Sequence, residues 1–302
     1  MTMTAPVTLD LGKSLQKNIV GWNGVPLAHM QGWFGENNGT TVHRIDRYLS
    51  NDPVVINNQL NFMEAIGIKG CIVDWEGPTV NPFLHDAMMN IWEGCMEHEL
   101  LFGLMLDPWI AEKQTNPTQA TISALLNSDC QRVLNSPAYL PEKYVLEFDM
   151  NASAGVDVAT VQAAVPTIPI LSWHTGYSWP NIVTGDNPSN PALALADLKA
   201  DHAKPTMKIA SANIMFCDGG QPTPTGALQS AWKGLRNWLL SAWPGTTPTR
   251  WLDHQAGNWF FDQVATIPPS IKYVAIPTWN DYDEGTGFEH IISVLSGTRL
   301  GK

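Results

Sequence analysis

Short apolar runs with the rhythm of strands alternate along the chain with longer stretches of helical spacing. "AHMQGWF" (28–34) is followed by "VINNQLNFMEAIG" (55–67), whose apolar residues recur at helical intervals and which stops at Gly67. "GCIVDW" (70–75), a helical stretch over 83–99 and "LFGLML" (101–106) come next. A helical pattern over 118–134 leads to "KYVLEFD" (143–149), and "VDVATVQAAV" (156–165) leads to "IPILSW" (168–173). A Pro/Asn-rich loop over 177–190 and a short helix over 191–200 precede "KIASANIMF" (208–216). The clearest late helix is "GALQSAWKGLRNWLL" (226–240); then come "TRWLDHQ" (249–255), a short helix near 258–265 and "YVAIPTW" (273–279).

These are eight strand candidates with seven helical connections. Alternating strands and helices imply parallel strands, because each crossover must carry the chain back to the end at which the strand began. Eight such units predict a closed (β/α)8 TIM barrel, and no linker or repeat divides residues 1–302, so a single domain is expected. A doubly wound open sheet is the alternative architecture. No G-x-G-x-x-G follows an early strand, which counts against a dinucleotide fold.

A barrel carries its active site on the loops at the C-terminal ends of the strands. The first candidate ends in Trp33-Phe34, the second in Asp74-Trp75-Glu76 and the third in Asp107-Pro108-Trp109. The fourth holds Glu147 and Asp149, which alternate and so share a face opposite Leu146 and Phe148; at least one is expected to line the cleft. The fifth ends in Trp173-His174; Asp218 follows the sixth; Asp253 and His254 lie on the seventh. The eighth supplies Trp279-Asn280-Asp281, then Tyr282 and Glu284. Together they predict one acidic cleft walled with tryptophan. Asp74 and Asp107 could equally be helix caps, and His174 a hydrogen-bonded structural histidine.

Composition narrows the chemistry. Residues are 44% hydrophobic and 15% charged, as in a globular protein with a substantial core. A net charge of −11 makes a nucleic-acid backbone or an anionic membrane a poor partner. The "MTMTAPVTLDLGK" start lacks the basic and apolar regions of a signal peptide, and no run reaches the length of a membrane span, so a soluble chain is expected. Cys71, Cys95, Cys130 and Cys217 lack any tight spacing and are expected as buried free thiols. Thirteen tryptophans, several at strand ends, offer flat platforms for the apolar faces of sugar rings.

Eight scattered histidines, without H-E-x-x-H, predict no metal site, although Asp74, Glu147 and Asp218 define a conceivable carboxylate set. A serine-esterase elbow and a P-loop are both lacking, and no cofactor is expected.

What remains is carboxylate chemistry. "TWNDYDEGTGFEH" (278–290) gathers four carboxylates into nine positions after an apolar run. Glycoside hydrolysis needs one carboxyl to protonate the leaving oxygen and a second to assist attack at the anomeric carbon. Asp281 and Glu284 are three apart, so a single turn projects both to one side, and their repulsion holds a proton on one of them.

This segment resembles the strand-8 signature of glycoside hydrolase families 71 and 99, W-N-D-Y-G-E and N-E-W-x-E-G-T-x-I-E. The resemblance extends upstream through "HQAGNWFFDQVATIPPSIKYVAIPTWND" and, more loosely, to "AHMQGWFG" and "FMEAIGIKGCIVDWEG". It implies an endo-acting glycosidase of α-glucan or α-mannan type, with Asp281 as the base that assists the sugar 2-hydroxyl and Glu284 as the general acid. The chain departs from both families, with Asp281 where family 99 has Glu and Asp283 where family 71 has Gly. A non-catalytic carbohydrate-binding barrel, part of a phage or cell-surface assembly, would keep the tryptophan platforms and is the alternative.

Overall fold

The computed structural model describes residues 10–32, 49–78, 81–106, 119–148, 156–178, 191–212, 216–218, 250–252, 258–277 and 279. Seven parallel strands form a curled sheet: β1 (Val25–Met30), β2 (Gly70–Trp75), β3 (Leu101–Leu106), β4 (Val145–Glu147), β5 (Ile170–Ser172), β6 (Ile209–Ser211) and β9 (Tyr273–Ile276), in the spatial order β5-β4-β3-β2-β1-β9-β6. A second sheet pairs β7 (Phe216–Asp218) with β8 (Arg250–Leu252), antiparallel. Helices α2 (Pro53–Ala65), α3 (Pro82–Glu97), α4 (Gln119–Asn127), α5 (Gln131–Leu134), α6 (Val158–Ala164), α7 (Pro191–His202) and α8 (Asn258–Val264) intervene, giving the TIM-barrel-like α/β fold.

The two edges of the sheet meet through one residue. Tyr177 bridges to Trp173, just past β5, and to Ile209 at the start of β6. The Ser178 amide donates to the Ile209 carbonyl at 2.9 Å, and Lys208 N–H donates to the Gly176 carbonyl at 2.7 Å. Segment 176–178 therefore takes the place between β5 and β6.

That closure corrects the expected ring. The single strand foreseen over 208–216 divides into β6 and β7, and 249–255 contributes β8 outside the barrel. Both edges of β6 are already occupied, one by β9 and one by segment 176–178, so β8 finds no vacant edge there and pairs with β7. β1 starts three residues before its predicted position because Pro26, which reads as an interruption, is tolerated near the strand's start, where its carbonyl accepts from Lys69 N–H. The helix foreseen over 118–134 breaks at 128–130 into α4 and α5. The foreseen helix 226–240 lies outside the described residues.

One helix escaped the sequence pattern. α1 (Leu11–Asn18) is capped by Asp10, whose carboxylate accepts from Lys13 N–H, and it buries Leu11 and Leu15, with Ile19 just beyond. The spacing i, i+4, i+8 was the available signal. Asp52, Asn81 and Asp157 cap α2, α3 and α6 in the same way, and prolines open α2 and α3.

Contacts to α3 tell the two faces of the sheet apart. Cys71 Sγ lies 3.4 Å from Cys95 Sγ, and the Trp75 indole donates to His85, so residues 71, 73 and 75 face the helices. The ladder registers carry that face to Leu104 and Leu106 on β3 and to Val145 and Glu147 on β4. The alternate positions, Ile72, Asp74, Met105, Leu146 and Leu171, point into the barrel. One hydrophobic cluster, running from Leu11 to Trp279, fills both layers.

Candidate active site at the C-terminal ends of the strands

The inward positions at the C-terminal ends of β1 and β2 are polar. His29 Nε2 donates to Asp74 Oδ1 at 2.8 Å, with both side chains almost fully enclosed. Gln31 and Glu76 continue the same face and are also buried. Asn81, which caps α3 through its Oδ1, donates from Nδ2 to Glu76 at 3.2 Å. Buried polar groups are costly unless paired, so this wall is organised. Asp74 serves a histidine and does not cap a helix.

Around the ring the ends of β4 and β5 are aromatic. Phe148 stacks on Trp173 at 5.0 Å between centroids, and Trp173 stacks on His174 at 4.4 Å. The Trp173 indole N–H is buried without an acceptor among the described residues. His174 Nδ1 sits 2.5 Å from Oδ2 of the buried Asp201. The Lys204 ammonium closes this cluster, donating to Asp201 Oδ1 at 2.7 Å and to the His174 carbonyl at 2.6 Å.

β9 delivers Trp279 to the same rim. Its amide donates to the His29 carbonyl at 2.5 Å, and its ring, fully buried, lies 5.8 Å from Phe62 of α2. The backbone of β1 thus holds the chain two residues before Asp281.

Two orientations differ from the expected cleft. Glu147 projects toward the helix side, because the register with Leu106 and Trp75 sets its sense; Leu146 and Phe148 take the inner face. Trp75 is also on the helix side, fully enclosed, with its indole donating to His85 Nδ1 at 3.1 Å. Burial lowers the His85 pKa, which keeps that nitrogen an acceptor. Trp75 and Trp279 are both packed within the core layers. Asp218 lies on β7, in register with Arg250, outside the ring.

Asp281 and Glu284, with Trp33, Asp107, Trp109, Asp149, His254, Asn280 and Tyr282, lie outside the described residues. Residues that the sequence pattern left out include His29, Gln31, Phe148 and Asp201. A histidine within an otherwise apolar strand was the signal for His29; Asp201 had none, since it comes from the far end of α7. Among the described residues no group of three His, Cys, Asp or Glu could hold a metal ion, and no helix is long and apolar enough to cross a membrane.

With this geometry in place, solved structures supply the comparison. The GH99 endo-alpha-mannosidase from Bacteroides thetaiotaomicron superposes with a TM-score of 0.58, covering 88% of this chain and 87% of that one at 14% identity. The same enzyme in complex with bis-tris-propane gives 0.57 over 88% and 86% of the two chains, also at 14% identity. A glycoside hydrolase-like protein gives 0.56 over 89% and 87% at 8% identity. This chain has the GH99 enzyme's fold. At such identities the likeness is one of architecture, a TIM-barrel-like glycoside hydrolase fold. No protein-family model matches the chain, and no curated protein matches it.

Proposed function

We propose that the chain is a glycoside hydrolase that cleaves internal α-linkages of an α-glucan or α-mannan type polysaccharide or glycan. The observation carrying this reading is the TIM-barrel-like glycoside hydrolase fold, and it is supported by the anchoring at the C-terminal rim of Trp279, two residues before Asp281 in the sequence, through the His29 carbonyl. Asp281 acts as the base on the sugar 2-hydroxyl, and Glu284 protonates the leaving oxygen. The buried wall of His29, Asp74 and Glu76 supplies fixed polarity on the adjoining strands. Trp33, Asp107, Trp109, Asp149, His254, Asn280 and Tyr282 are proposed to complete the substrate contacts.

The test is a panel of α-linked glucans and mannans with product analysis, followed by Asp281→Asn and Glu284→Gln. Each substitution is expected to lower turnover by about a thousandfold, within the usual range for losing a general acid or base. An active preparation that keeps its rate through both changes would sink the assignment. Saturable binding by the native chain without turnover would point to a carbohydrate-binding barrel.

A further inference from the structure

At the ends of β4 and β5 a cleft of about 360 Å³ opens beside the start of α6, bordered by Glu147, Asp157, Ser172, Trp173 and His174. Its histidine is held in an unusual way. His174 has a left-handed backbone, φ 60°, which is uncommon outside glycine and persists only where surrounding contacts enforce it. Those contacts are the stack on Trp173, the Asp201 carboxylate on Nδ1 and the Lys204 ammonium on the carbonyl.

The chemistry of the pair assigns the two ring nitrogens. An ionised carboxylate only accepts, so Nδ1 carries a proton toward Asp201, and Nε2 is the ring nitrogen left for a further contact. Nε2 has no protein partner among the described residues. Lys204 neutralises Asp201, and the cleft is lined by the His174 ring and the Ser172 hydroxyl beside the indole of Trp173, with the capping carboxylate of Asp157 at its border. Such a lining suits a ligand rich in hydroxyl groups.

Position decides which part of the ligand this is. From β9 the rim runs through β6 and segment 176–178 to β5. Three inter-strand steps amount to roughly 14 Å along the wall, more than one sugar ring. We infer that the cleft is a distal subsite for a sugar unit remote from the bond that is cut. His174 Nε2 exchanges a hydrogen bond with one of its hydroxyls, and Asp201 is a positioning residue. The inference rests on the glycosidase reading for its ligand class, but it concerns binding and not turnover.

The experiment is titration calorimetry of the full chain with α-linked gluco- and manno-oligosaccharides of increasing length, alongside His174→Asn and Asp201→Asn. Asparagine tolerates the left-handed backbone, and Asp201→Asn provides a second variant if the first folds poorly. Native affinity should rise with length, and both variants should lose about tenfold for the longest chain, as expected for one or two lost polar contacts. A purely structural role would lower the melting temperature and leave the dependence on length intact, which overturns the subsite. Unchanged affinity in both variants, or no binding of any oligosaccharide by the native chain, also overturns it. Length-dependent binding that persists in Asp281→Asn and Glu284→Gln supports the subsite whatever those two residues do to turnover.

Discussion

His29 shows how one buried side chain can serve two strands. Its imidazole is paired with Asp74 across β1 and β2, while its carbonyl receives Trp279 from β9. Removing the ring leaves the Asp74 carboxylate enclosed without its donor, and breaking a buried pair in this way is strongly destabilising. His29→Ala is therefore expected to lower the unfolding free energy by about 3 kcal/mol, measurable as a shift in the urea midpoint. At this scale the sequence carries a signal where local geometry rules, although the caps it suggested were Asp74 and Asp107. Asp52, Asn81 and Asp157 stand where helix caps belong and act as caps. It was not legible for Glu147, whose direction follows from the ladder register with Leu106 rather than from the strand alone.

At the scale of elements, α7, α8, β6 and segment 178 meet in one polar network. The Ser178 hydroxyl donates to His202 Nε2 at 2.9 Å and accepts from Ser211 N–H at 2.7 Å. His202 Nδ1 donates to Thr266 Oγ1 at 2.7 Å, and that hydroxyl donates onward to the Gln263 carbonyl. The network needs a neutral imidazole, and burial lowers the His202 pKa from 6.5 to about 4, opposed in part by Asp201. The unfolded chain then binds the proton more tightly, so the contribution is intact above about pH 6.5 and is lost as pH falls toward 4. Up to roughly 3 kcal/mol of stability should go over that window, and His202→Gln should flatten it in urea titrations at pH 7, 5.5 and 4. The elements themselves were mostly readable: β2 and β3 occur at 70–75 and 101–106, as their unbroken apolar runs predict. α1 was passed over because its apolar contacts are with a barrel wall that the N-terminal segment does not contain.

For the molecule as a whole, closure is the consequential feature. Tyr177 joins the two edges of the sheet, and its hydroxyl donates to the Glu147 carbonyl at 2.9 Å, tying the seam back to β4. Tyr177→Phe should cost about 1 kcal/mol, the net worth of one hydrogen bond. The Ser178 amide, bonded across the seam to Ile209, should then exchange its hydrogen faster while amides of the β2–β3 ladder stay protected.

The alternation of apolar runs by itself determined a parallel α/β barrel and the limits of its central strands. Each depends on neighbours within a few residues, where steric and hydrogen-bonding rules act locally. Only the tertiary structure decided which strands share the ring, which face Glu147 and Trp75 take, and that Asp201 serves His174 while Asp74 serves His29. Those are choices between edges and registers far apart in sequence. They turn on which hydrogen-bonding edges remain vacant once the rest of the barrel is in place, and no local rhythm of residues records that.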